Sequence, residues 1–352
     1  MRFALFNPIT VVLVLLAAVL LTACGSSSRA TVNGDDLLQL RRYRLRLADP
    51  DPQASWSPSG SWILARWGRG LTLLREGARQ QFRLDNARRP GHPVWMSDNL
   101  IAVGDEEWFT KTDEGRIIMP SQSIRLFDVK PGTGITNPRD LADASGWRPR
   151  PWQGKIVVQS ANTIRVYDEL GNGQPYDEAF FPAPQRNGAG MIVQSLPVIA
   201  EDHWTGHAGL GELVIRWPDA PTQLVPACVE ARWTPQGGVI ATRLLETPPA
   251  EQPWWQADCE LVHIPEPGAE PVVILPKGYW GDAHPTLPII AGADSGNNVV
   301  LVHADGGGVI REVAQDAARP QWSSDGDKLC FEVPSETKSD SKDLMIVVYQ
   351  LR

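Results

Sequence analysis

The sequence predicts an all-β fold made by radial repetition, a seven-bladed β-propeller, with six or eight blades as alternative counts. Three observations predict it. A Trp-turn-strand motif recurs along the chain, short apolar strands alternate with turn residues, and the composition combines 31 Gly and 30 Pro with 14 Trp. Hydrophobic residues make up 42 %, enough for a sizeable core, which excludes wholesale disorder. Charged residues at 21 % with frequent Gly and Pro exclude a coiled coil or a long-helix bundle. The formal charge of −8 supplies no basic footprint for nucleic acid.

In chain order, the first segment lies outside the fold. Arg2 is followed by an almost wholly apolar run, Ile9 to Leu21, too short for a comfortable membrane span. The run ends in Leu21-Thr22-Ala23-Cys24, followed by Gly25 and serines. This tetrapeptide resembles the lipobox of bacterial lipoproteins. The resemblance implies a signal peptide over 1–23, acylation of Cys24, and a short tether over 24–37. Gly25 rather than Asp after the cysteine implies, by the same resemblance, the periplasmic side of the outer membrane. The inner membrane and the cell surface are the alternatives.

The remainder, 38–352, reads as one domain. Trp56-Ser57-Pro58-Ser59-Gly60-Ser61-Trp62 recurs as Trp233-Thr234-Pro235-Gln236-Gly237-Gly238 and as Trp322-Ser323-Ser324-Asp325-Gly326-Asp327. Looser copies begin at Trp95 and Trp152. Each copy is a Trp-ended strand, a tight turn, and an apolar strand. These residues resemble the WSPDG-type repeat of TolB-like, WD40-like β-propellers; that resemblance implies the propeller fold and is silent on function. Strand rhythm places the blades at 53–86, 91–142, 147–184, 190–226, 228–276, 283–314 and 319–352. The last blade is one strand short. Gln39 to Leu47 alternates polar and apolar residues and supplies the missing outer strand, closing the ring.

With strands lettered A to D from the axis outward, the A-to-B turns are tight and several B-to-C loops are long: 104–122, 201–211, 246–258 and 334–342. Long loops on a rigid scaffold carry function. Trp108, Phe109, Trp204, Trp254 and Trp255 fall in them, and Tyr279 and Trp280 are read as a D-to-A loop on the same face. Together they make a candidate binding face, since aromatics anchor interfaces. Gln53, His92, Glu230, His284 and Arg319 are assigned one register three positions before the strand-A Trp, at the mouth of the central channel.

Export to an oxidising compartment makes Cys228 and Cys259 a disulfide candidate, two buried thiols being the alternative. Cys330 alternates like a core position. Neither a nucleophile elbow, a P-loop, a dinucleotide turn nor a zinc-ligand helix is present in the sequence, so no catalytic residue, metal or cofactor is expected. The chain therefore reads as a membrane-anchored protein-interaction module or envelope scaffold. Its partner would be a periplasmic or envelope protein, or a glycan, with the membrane touched through the lipid anchor only. A propeller enzyme or ligand binder at the channel mouth, and a purely structural subunit of a membrane complex, are the alternatives.

Overall fold

A computed structural model describes residues 37–68, 70–83, 90–105, 110–111, 117–118, 123–130, 133–145, 147–160, 163–185, 188–194, 212–246 and 257–351. They form seven four-stranded antiparallel sheets, plus a two-stranded hairpin (Thr110–Lys111 with Ile117–Ile118) between strands B and C of blade two. Strand A of the successive blades is Ser55–Trp56, Pro90–Ser97, Trp147–Trp152, Phe180–Pro184, Cys228–Trp233, Gly278–Ala283 and Ala318–Trp322. Each strand A touches the next, and the last touches the first, so the blades close around an axis. The fold is the expected seven-bladed β-propeller.

The chain seals the ring as its alternating N-terminal pattern predicts. The strand Leu37–Asp49 pairs antiparallel with Lys342–Leu351 and completes blade seven. Inner strands are apolar on both faces because each blade is sandwiched between two others. Leu64 packs with Leu71, Trp95 and Ile101, whereas its neighbour Ile63 packs with Cys330, Leu344 and Ile346. Strand A pairs only with strand B, so its channel edge tolerates prolines that would break a central strand. Pro93, Pro149, Pro151, Pro182, Pro184 and Pro320 all stand there.

Two blade boundaries differ from the sequence reading. Phe180–Pro184 opens blade four rather than ending blade three, and blade six starts at Gly278 rather than 283. The first of these strands has two prolines and no Trp; the second has glycines that mimic a turn.

The recurrent Trp residues join blades. The indole N–H of Trp56 donates to the Gln321 carbonyl, that of Trp95 to Ser55 and that of Trp233 to Ala183, each a strand-A carbonyl of the preceding blade. The A-to-B turns are joined in the same way on the tight-turn face. Ser324 donates to the Pro58 carbonyl, the Ser59 amide to Asp98, and Gln236 to the carbonyls of His284 and Pro285.

Gly326 occupies one of these joints at φ +79°, and a Cβ there would lie 2.6 Å from His284 Cε1. Gly326→Ala should therefore lose about 2–4 kcal/mol, from left-handed strain plus overpacking. Gly77→Ala, at φ +69° in open space, should lose only the strain part. Thermal melting of the two variants checks the difference.

Candidate functional site at the channel mouth

In six of the seven blades strand A carries a bulge near its start, and in blade one Gln53 and Ala54 stand in the same place, between Pro52, whose carbonyl accepts from the Arg66 amide, and Ser55 opposite Leu64. The ladder with strand B slips between Gly91 and Val94, Trp147 and Arg150, Phe180 and Ala183, Val229 and Arg232, Tyr279 and Asp282, and Ala318 and Gln321. Two residues bulge at each slip, and the second is Pro or small: Pro93, Pro149, Pro182, Ala231, Gly281, Pro320. Gln53, Glu230, Trp280 and Arg319 hold φ of 45°, 49°, 53° and 50°, a region L residues occupy at a cost. The bulges lie in the first half of strand A, hence on the face where the D-to-A and B-to-C connections emerge.

Around these residues runs a charged network. The Arg319 guanidinium donates to Asp51 at 2.6 Å, approaches Glu332 at 3.5 Å, and lies 5.0 Å from the Trp280 ring centre. Asp51 also accepts from Arg66 at 2.9 Å and from Gln53 at 3.0 Å. Arg66 is buried in strand B of blade one (Ile63–Trp67) and faces Asp49 at 3.9 Å. Asp49 accepts from the Gly68 amide at 2.7 Å. The network thus runs from the end of the closing strand to the channel rim. Burial alone would lower the Arg319 pKa, but Glu332, Asp51 and Glu230 outweigh it and hold the guanidinium above its ordinary range. Burial raises the Glu332 carboxyl, with Arg319 pulling the other way.

Deeper along strand A of blade six, Asp282 accepts from the Trp322 amide at 2.7 Å and lies 4.0 Å from Arg232. Its carboxylate links the inner strands of blades five, six and seven. Burial lifts it to about 6 against the pull of Arg232 and the amide.

The register of Gln53, His92, Glu230 and Arg319 places all four at the bulge position. His284 belongs elsewhere. It follows Ala283 at the end of strand A, the position of Ser57, Thr234 and Ser323 in blades one, five and seven. There its Nδ1 accepts from the amides of Thr286 and Leu287, at 3.2 and 3.0 Å, and its Nε2 lies 3.1 Å from the Gly326 carbonyl. Accepting at Nδ1 requires the proton on Nε2, which donates to Gly326. His284 is thus a joint on the tight-turn face, held neutral by burial down to about 4. The blade-six member of the mouth ring is Trp280.

Tyr279 is also displaced from its expected role. It is buried against Val229, Leu244, Cys259 and Ala293, and its hydroxyl donates to Asn297 at 2.5 Å. Trp280 is half-buried in strand A rather than in a loop. Sequence reading missed Arg148 and Phe181 as bulge positions. The signal was available: a residue followed by Pro, three or four positions before the strand end.

The disulfide candidate fails on geometry. Cys228 and Cys259 are free, buried, and separated by strand B of blade five. Two strand spacings are about 10 Å, beyond the roughly 7 Å a bridge can span. The side chains also face opposite sides, Cys228 towards Ile192 and Leu213, Cys259 towards Tyr279 and Ala293. Burial lifts the two thiols to about 12 and about 11, and raises Cys330 as well, so all three stay protonated and inert.

Cys24, Trp108, Phe109, Trp204, Trp254 and Trp255 lie outside the described residues. Among the described residues, no three His, Cys, Asp or Glu side chains gather as a metal site.

No protein-family model matches the chain, and no curated protein matches it. Solved structures do. One is a chain of the "Crystal Structure of Mitotic Checkpoint Complex", with a TM-score of 0.59 and 11 % identity, over 90 % of this chain and 96 % of that one. Another is "YCF48 bound to D1 peptide", with a TM-score of 0.54 and 10 % identity, over 88 % of this chain and 98 % of that one. At such identities the likeness concerns fold alone: this chain is a seven-bladed β-propeller closed by its own N-terminal strand.

Proposed function

We propose that the chain is an exported lipoprotein, with 1–23 as signal peptide and Cys24 as lipid anchor, whose propeller binds a protein partner on the periplasmic side of the outer membrane. The observation that carries the binding role is the strained ring at the channel mouth. A half-buried Trp280 and an exposed Glu230 are held in positive φ beside the Arg319 network, on a scaffold that fixes them. Strand B of blades two, four and five also ends on this face. The strand after Cys24 begins on the opposite, tight-turn face, so an anchor there turns the mouth away from the membrane. A YCF48 protein of the same fold is known with a bound peptide, which accords with a protein or peptide ligand. We read the site as one of binding rather than catalysis, because Arg319, Asp51 and Glu332 spend their charge on one another.

Affinity purification of the full lipidated chain tests this reading, comparing the natural sequence with Glu230→Lys/Trp280→Ala. Loss of a Trp anchor alone costs about 2 kcal/mol, so partner recovery should fall roughly 30-fold while the melting temperature holds. Equal recovery from both proteins would refute the site.

A further inference from the structure

Blade seven has an outer wall unlike an ordinary propeller edge. Its outer strand, Leu37–Asp49, carries Arg41, Arg42, Arg44 and Arg46 within six residues and no acid before Asp49, in a chain of net charge −8. Arg41 and Arg46 keep 53 % and 68 % of their side chains exposed. Their partners are Glu76 and Glu336, both about half exposed, and such surface pairs are weak enough to exchange for another anion.

The same strand overshoots the blade. Strand B of blade seven stops pairing at Lys328 opposite Val348, and the Tyr349 amide already bonds the Asp327 carbonyl in the A-to-B turn. Leu37, Leu38 and Gln39 pair beyond that level, with Leu351, Gln350 and Tyr349. Three residues at strand rise make a two-stranded lip about 10 Å long at the tight-turn face, seated by Leu37, which is buried against blade six. Leu38 on the lip and Leu40 at the irregularity beside it are 38 % and 52 % exposed, large apolar side chains presented to solvent.

We infer that this lip forms a second membrane contact, in which Leu38 and Leu40 enter an anionic phospholipid interface and Arg41 and Arg42, the arginines nearest the lip, meet its phosphates. The inference rests on the lipoprotein reading, because the lip begins only 13 residues after Cys24, so an anchor there holds it at the bilayer surface. Apolar side chains beside arginine clusters suit the headgroup boundary, where each basic residue adds roughly 1 kcal/mol.

The test uses the full chain in vesicles, with an environment-sensitive fluorophore on Leu40→Cys and, in a second protein, on Leu224→Cys in the outer strand of blade four. Cys228, Cys259 and Cys330 are buried and will not take the label. With phosphatidylglycerol in the vesicles, the Leu40 position should shift to shorter wavelength and be quenched by lipid-borne nitroxide, and the Leu224 position should not. Arg41→Gln/Arg42→Gln should weaken the docked state about 30-fold at roughly 1 kcal/mol per arginine, as should vesicles of phosphatidylcholine alone. If the protein co-sediments with vesicles yet Leu40 behaves as Leu224 does, the contact is refuted and the anchor stands. If it does not co-sediment, anchor and contact fall together.

Discussion

Arg66→Met should cost about 3–5 kcal/mol in urea denaturation, because it strips a buried guanidinium from between two carboxylates. Arg66 is 2 % exposed and Asp49 likewise 2 %, so water cannot replace the lost charge. The Met side chain matches the volume but not the bond to Asp51 at 2.9 Å. Asp49 ends the closing strand and Asp51 begins the passage to blade one, so the damage falls on ring closure. Asp49→Asn in the same background should recover much of the loss, since the amide oxygen still accepts from Gly68 without bringing a charge. A cost below about 1 kcal/mol for Arg66→Met would mean that the network is ornamental.

The second large effect is hidden in the natural protein by cancellation. Asp282 titrates near 6 when folded, above the 3.8 of an ordinary Asp. The folded state therefore takes up a proton first, and stability rises as pH falls from 6 towards 4, by about 3 kcal/mol. His284 runs the other way. Its folded value of about 4 lies below the ordinary 6.5, so stability is fully present above 6.5 and is lost as pH falls towards 4, again by about 3 kcal/mol. The two groups stand two positions apart and offset each other between pH 4 and 6. Asp282→Asn should expose the histidine and make the protein acid-labile, with higher stability at pH 7. His284→Asn keeps an acceptor for the Thr286 and Leu287 amides and should leave a protein that gains stability on acidification. Melting curves at pH 4, 5, 6 and 7 check both; parallel pH profiles for the two variants would contradict the assignment.

The blade count and the closing strand were legible because they rest on local repetition. In blades one, two and five the Trp near the end of strand A reports an indole bond to the preceding blade, and the alternation of Gln39 to Leu47 reports a strand covered on one face. Strand A of blades four and six was illegible for local reasons too. Phe180–Pro184 and Gly278–Ala283 have no Trp at their ends, and their Pro and Gly imitate a turn. His92-Pro93 and His284-Pro285 look alike as dipeptides, yet one pair forms a bulge and the other opens a turn. Only pairing distinguishes them. The network of Asp49, Asp51, Arg66, Arg319 and Glu332 was invisible for a different reason: it joins the two ends of the domain, and no short window contains it. The cysteine pairing failed because separation along the chain says nothing about the strand lying between two residues.

We propose the strained ring at the channel mouth as the binding surface. Site-specific photo-crosslinking in living cells addresses it most directly, with the photoreactive residue placed in turn at Gln53, Glu230 and Trp280, and at Leu224 and Val309 on outer strands. One protein should be captured from all three mouth positions and from neither outer position. Capture confined to Leu224 or Val309, with none from the mouth, would contradict it.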